Sequence, residues 1–445
     1  MAELPRRLGT GTATLVVVAN TIGTGIFTTT GLMLAELASP ALVLACWLVG
    51  GLVALAGALS YAELSTRLPR AGAEYAYLRE IYGPLPAFLT GWTSFFVGFS
   101  APIAASAVAG AAYLAAAGLL PPSWLAQKGA ALAVVLVLTG IHYSGVRLGA
   151  RVQNALTGLN LALLVGFVVA GFAFGQGSGT ALTASSALWQ EGRPERLGLA
   201  LLWVMFAYSG WNAAAYLAEE VEQPARTLPR ALAGGTLIVL VVYLGVNLLF
   251  FYAAPAAALA GVVPVGEVAA EHLFGPGVAA WLAGLISLAL VSSLSAYLFT
   301  GPRVYFAMAR DGLFFRFAAR LHPRFETPSL AILAQGACAA VMVVSGTFEQ
   351  LLTYIGFALG IFPWLAVAGL FLLRRREARG EARSEAAYRV WGYPLVPLFY
   401  LAAMAAILAV AFWNRPGPSL VALATVAAGV PIYWFTVRRR ARAKA

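Results

Sequence analysis

The stretch "VANTIGTGIF", Val18 to Phe27, lies near the middle of the first long apolar run and holds two glycines around a threonine. A run of this length should cross a bilayer as a helix, yet glycine weakens a helix interior by about 1 kcal/mol relative to alanine. A break at Gly23, Thr24 and Gly25 leaves C=O groups unpaired at the end of the first half and N–H groups unpaired at the start of the second. In hydrocarbon each such group costs several kcal/mol, so a break persists only where it faces a polar cavity or a ligand. The amides near Gly25, Ile26 and Phe27 form a positive helix end suited to a carboxylate; the carbonyls from Ala19 to Ile22 form a negative end suited to an ammonium. An α-amino acid carries both groups on one carbon and can be held by its own backbone atoms, without a charged side chain from the protein.

Small residues are also common at helix contacts in membranes. A second candidate break, "FAYSGWN" from Phe206 to Asn212, shifts the balance. It falls in the sixth span, five after the first, and an odd-numbered repeat inserts its second copy upside down. Paired interrupted spans in corresponding positions of two halves mark the midplane site of a transporter.

The rest of the chain agrees with a bilayer as solvent. Of 445 residues, 61% are hydrophobic and only 11% charged, with a mean hydropathy of +0.81; ordinary soluble domains are roughly a quarter charged. Apolar runs recur at roughly residues 12–35, 40–64, 83–117, 129–146, 154–176, 197–220, 231–253, 278–305, 329–346, 350–373, 394–413 and 418–436. They are continuous rather than alternating, which predicts an all-α membrane protein of twelve transmembrane helices and excludes a barrel.

The net charge of +11 does not call for nucleic acid, because the basic residues follow loop parity. The amino terminus and every second loop hold 25 of the 29 Lys and Arg residues, leaving only Lys128, Arg193, Arg196 and Arg415 opposite. By the positive-inside rule both termini are cytoplasmic and the protein sits in the cell (inner) membrane. Arg6 and Arg7 precede the first run as in a signal peptide, but that run is too long and no small-residue cleavage site follows. Cys46 and Cys338 stand alone in separate runs and read as packing residues.

Ionisable side chains are nearly absent from the spans. The sole aspartate, Asp311, falls in a loop; Glu36, Glu63 and Glu219 fall near span ends; His142, His272 and His322 read as solvated or capping residues. A pump or metal transporter places such groups deep in the membrane. Phosphate-loop, paired-histidine zinc and nucleophile-elbow motifs are missing, so neither an enzyme nor a cofactor is expected. Glu219, Glu220 and Glu222, followed by Arg226 and Arg230, read as an ion-pair patch, and "RRREARGEARSEAAYR" as a solvated basic loop.

Four stretches together carry a family resemblance: "IGTGIF"; "SYAELSTRLPRAGAEYAYLREIYGPLPAFLTGW"; "FAYSGWNAAAYLAEEVEQPARTLPRAL"; and "LFTGPRVYFAMARDG". In order and spacing, over roughly residues 8–375, the chain resembles bacterial amino acid permeases of the amino acid–polyamine–organocation superfamily, similar to the light subunits of L-type amino acid transporters. The resemblance implies one transporter domain over residues 1–445 with the leucine-transporter fold: a first inverted repeat at 8–176, a second at 197–373, and spans 11 and 12 at 394–436. It implies that Thr21, Ile22, Gly23, Thr24 and Gly25 meet the substrate's carboxylate and amine, with Phe206, Ala207 and Ser209 also reaching the amine. Phe206 matches the aromatic gate of the family, and Trp211 and Asn212 the wall of the second half-helix.

No acidic residue stands in the expected pocket, so neutral substrates are favoured over arginine or polyamines, whose distal charge would be unpaired. Gly210 and Ala213 suggest room for a side chain, which Trp364 of span 10 could fill. The disulfide-linked heavy chain of animal relatives needs a cysteine in an outside loop, and none is there. Asn160 stands where many relatives carry a lysine thought to replace a sodium ion; an asparagine neither titrates nor carries charge. Two driving forces remain: obligatory exchange, or a sodium ion on span 1 carbonyls with Ser292 and Ser293. A proton-coupled symporter and a non-transporting sensor are the other readings.

Overall fold

The computed structural model describes residues 4–177, 179, 194–262, 265–345, 358–381, 387–414 and 416–444. Among them every regular element is helical. The first broken run gives α1 (Thr10–Thr21) and α2 (Thr24–Leu37), followed by α3 (Pro40–Arg67), the short α4 (Glu74–Tyr82) and α5 (Pro84–Thr93). A π-helical stretch at Ser94–Ser100 joins α5 to α6 (Ala101–Ala116); α7 (Trp124–Tyr143) and α8 (Val146–Phe174) complete the first half. The second half has α9 (Pro194–Ala207), the single turn α10 (Ala213–Tyr216), α11 (Pro224–Ala253), α12 (Ala256–Leu259), α13 (Val265–Phe274), α14 (Pro276–Thr300), α15 (Pro302–Arg310), α16 (Ser329–Ser345) and α17 (Ala358–Ala378). Last come α18 (Leu395–Asn414) and α19 (Pro416–Lys444).

Seven of these helices or continuous helical runs are long and apolar enough to cross a membrane, and the pair α1 and α2, bent by 40°, makes an eighth. Two shorter apolar helices, Ser329–Ser345 and Ser419–Phe435, fall below that length. The start of the apolar run at 350–373 lies outside the described residues up to residue 357. The run at 83–117 is one span with a wide turn in its middle, where the N–H of Ala101 reaches back to Phe96 O. Pro102, which has no N–H to give, follows immediately.

Lipid tails give helices no hydrophobic reason to associate, so close packing has to. Gly50 and Gly51 of α3 supply it: a Cβ on Gly50 would lie 2.2 Å from Val204 Cγ1 of α9, and one on Gly51 would lie 2.3 Å from Leu240 Cδ1 of α11. Into the space behind them fit Trp47, Tyr208 and Tyr243, all buried, their ring centroids 5.1–5.9 Å apart. These contacts press the second broken run against α3 and α11.

The arginine-rich end is tied by ions. Glu63, fully buried, accepts from Arg67, Arg374 and the Val390 amide. Glu220 is paired with Arg303 at 2.6 Å and Glu219 with Arg310 at 2.5 Å. Glu219 and Glu220 thus pair with α15, across the fold, where the sequence suggested neighbours along the chain. Asp311 accepts from Tyr75, Arg70 and Arg79. Removing one partner of a buried pair such as Arg303 and Glu220 costs about 3–5 kcal/mol, since it strands a charge. Beside them the amino-terminal segment pairs with the chain after α10: the amides of Arg7 and Leu8 donate to Glu220 O, and Glu222 N–H donates to Leu8 O.

Candidate functional site

Both breaks foreseen in the sequence are present, and they meet. Ile22 ends α1 in an extended conformation with its amide on Val18 O, Gly23 follows at φ −140° and ψ −149°, and α2 begins without any side-chain cap. In the second run α9 stops at Ala207, five residues turn, and α10 begins at Ala213. The contact between them is made by glycine. A Cβ on Gly25 would lie 2.5 Å from Ala207 Cβ and 2.6 Å from Ala207 Cα, a distance no real Cβ tolerates against backbone. Gly210, at φ +106°, returns the contact, its Cβ position lying 2.4 Å from Asn20 O.

The orphan carbonyls are met by hydroxyls that sequence reasoning missed. Tyr243 Oη of α11 lies 2.7 Å from Thr21 O and 3.0 Å from Ala207 O, so its one proton is shared between the ends of both first halves. Tyr297 of α14 donates to Asn20 O at 3.1 Å. In sequence each is one more aromatic in an apolar run; only the three-dimensional meeting of the breaks marks them out.

Two cavities flank this junction. The smaller, about 30 Å³, is lined by Thr21, Gly23, Thr24, Gly25, Ala207 and Ser293, among others. The larger, about 100 Å³, runs between the π-helical stretch, α9, α10 and α18, with Asn212, Trp211 and Glu74 in its wall. Phe206, Ser209 and Tyr297 line both, and Phe206 is half-buried between them. Seven of the residues read from the sequence, Thr21, Gly23, Thr24, Gly25, Phe206, Ala207 and Ser209, therefore share one cavity, whereas Ile22 lines neither and Asn212 only the larger.

Of the coupling residues, Ser293 lines the smaller cavity, its Oγ 3.3 Å from the Cβ position of Gly23. Ser292 Oγ lies 3.4 Å from Thr157 Oγ1. Asn160, 2% exposed, has its Oδ1 without a hydrogen-bond partner.

Four expectations are corrected. An acidic residue does stand at the larger cavity: Glu74, at the first turn of α4, accepts from Tyr61 O–H at 2.8 Å and from Asn212 Nδ2. Gly210 lines the larger cavity with Ala213, but its missing side chain is not what opens the room, because the Asn20 carbonyl fills that place. Trp364 lines neither cavity; its Nε1 donates to Leu401 O of α18. His142 is buried, its Nε2 2.8 Å from Ser295 Oγ, because the end of α7 packs on α14. His322 does cap, accepting from the amides of Arg324 and Phe325.

A model of amino acid permeases matches residues 8–437. The chain belongs to the amino acid permease family. It is accordingly a membrane transporter and not an enzyme. The permease is 31% identical to the Asc-type amino acid transporter 1 of Mus musculus, over 99% of this chain and 83% of that one. It is 30% identical to the large neutral amino acids transporter small subunit 2 of Homo sapiens, over 98% and 81%. With the serine/threonine exchanger SteT of Bacillus subtilis (strain 168) it shares 31% identity over 98% of both.

Proposed function

We propose that the permease exchanges neutral α-amino acids across the cell membrane, with twelve spans, two inverted five-span repeats (8–176 and 197–373), spans 11 and 12 at 394–436, and both termini cytoplasmic. The observation that carries this is the junction itself. Two broken helices meet at a cavity whose lining offers amides, carbonyls and hydroxyls but no charged side chain, which suits a zwitterion bound through its backbone. The substrate's ammonium and carboxylate lie in the smaller cavity against Thr21, Gly23, Thr24, Gly25, Ala207 and Ser209. Its side chain points past Phe206, the gate, toward the larger cavity and Asn212. The names of the relatives, an amino acid transporter, a transporter of large neutral amino acids and a serine/threonine exchanger, support the same substrate class.

Glu74 does not favour cationic substrates, because its oxygens already accept from Tyr61, Asn212 and Tyr216. Exchange is preferred to ion coupling because Asn160 can neither titrate nor carry charge. Sodium coupling is the second reading, favoured by Ser293 facing Gly23 and by the unpartnered Asn160 Oδ1. No disulfide-linked heavy chain is proposed as a partner.

Uptake of a labelled amino acid panel into proteoliposomes tests both readings. Exchange requires accumulation only in vesicles preloaded with unlabelled amino acid, with or without external sodium. Accumulation in unloaded vesicles driven by sodium alone reverses the order of the two readings, and no uptake of any α-amino acid rejects both.

A further inference from the structure

Glu74 is a carboxyl with no cation. It is 2% exposed, and every group it accepts from is neutral: Tyr61 of α3 at 2.8 Å, Asn212 at the start of α10, and Tyr216 at its end. Asn212 Nδ2 also lies 3.3 Å from Tyr216 Oη. One carboxyl thus joins α3, α4 and both ends of α10, the single helical turn directly after the second break. We propose that Glu74 is a positioning residue whose protonation accompanies closure: the acid form belongs to the packed arrangement seen here, and the carboxylate forms when the larger cavity opens to water. The proton comes from the water on that side and returns to it, so none is carried across with substrate.

Burial pushes the Glu74 carboxyl above its usual range, against the lowering by its three hydrogen-bond donors and its own backbone amide. The groups facing it are Tyr61, Tyr77 on its own helix, Tyr216 and Tyr400 of α18, all uncharged near neutrality. The cations on neighbouring elements are engaged elsewhere: Arg79 with Asp311, Arg303 with Glu220, Arg310 with Glu219, and Arg376 with the carbonyls of Glu80 and Ile81. Helix α5 carries no titratable residue. An ionised Glu74 inside this shell is 2% exposed and has no countercharge, and neutralising it removes that cost.

This inference rests on the exchange reading and deepens it, and two measurements keep the two separable. In proteoliposomes with equal pH on both faces, the parent's maximal exchange rate should rise about fivefold or more from about pH 8 to about pH 5, with KM within about twofold. Glu74→Gln, which imitates the acid, should run at the parent's low-pH rate throughout, while Glu74→Asp keeps a pH dependence. Glu74→Gln reproducing the parent's pH profile, or a parent rate flat over this range, overturns the proposal. The second readout needs no transport. A carboxyl whose folded pKa is raised loses stability as pH rises, so the melting temperature of Glu74→Gln should climb relative to the parent between those limits. That shift without exchange would count against the function alone; its absence counts against Glu74.

Discussion

The two breaks are made differently. In the first, Ile22 and Gly23 are the only residues between α1 and α2, the bend is 40°, and the loose carbonyls are held by tyrosine hydroxyls from α11 and α14. In the second, five residues separate α9 from α10, α10 lasts one turn, and the far side is held by the Glu74, Asn212 and Tyr216 cluster. The first break rests on backbone and hydroxyls that do not titrate near neutrality, so its geometry is indifferent to pH. The second hangs on an acid. Within one junction, span 1 supplies a fixed frame and span 6 an adjustable one.

If the frame is set by the approach of Gly25 to Ala207, the largest loss should come from Gly25→Leu. Its side chain would displace the span 6 backbone and favour a continuous helix, and binding should fall by about a hundredfold or more. A thermal-shift titration with amino acid that returns near-parent affinity would break the comparison at its root. Next in size is Tyr243→Phe, which strips two buried carbonyls of the one proton they share, at about 1–3 kcal/mol, so exchange should drop by about tenfold. Exchange within about twofold of the parent would mean that the bridge does not hold the junction.

Phe206→Ala probes the adjustable side. A gating aromatic acts on closure over substrate, so the purified mutant should stay monodisperse and melt close to the parent while exchange falls several-fold. Transport at the parent rate would remove Phe206 from the gate. The smallest effect is expected of Gly23→Ala. The new methyl meets only Ser293, at Oγ 3.3 Å and Cβ 3.9 Å, and the backbone φ there is negative, so affinity should change by less than about threefold. A large loss there would show that span 1 is as finely fitted at Gly23 as at Gly25.

What the sequence disclosed follows from how each feature is encoded. Glycines inside an apolar run change local helix propensity, so both breaks could be read directly, as could the residues beside them. Tyr243 and Tyr297 reach Thr21 O and Asn20 O, 222 and 277 residues away in the chain, and an aromatic in a span carries no mark of the carbonyl it will meet. Glu74 sits in a short connection between arginines Arg70 and Arg79, where a carboxylate reads as solvated; the structure turns those arginines to Asp311 and buries Glu74. Gly210 misled in direction only: it does line the larger cavity, but the space its absent side chain leaves is filled by the Asn20 carbonyl.

The pairing of Arg7 and Leu8 with Glu220 and Glu222 uses main-chain atoms alone. Its three hydrogen bonds do not depend on which side chains those positions carry, so this joint between the foot of span 1 and the segment after span 6 can drift in sequence and survive. One substitution is barred. A proline at position 7, 8 or 222 has no N–H to give, and descendants of this chain can explore almost any other residue there before the joint comes undone.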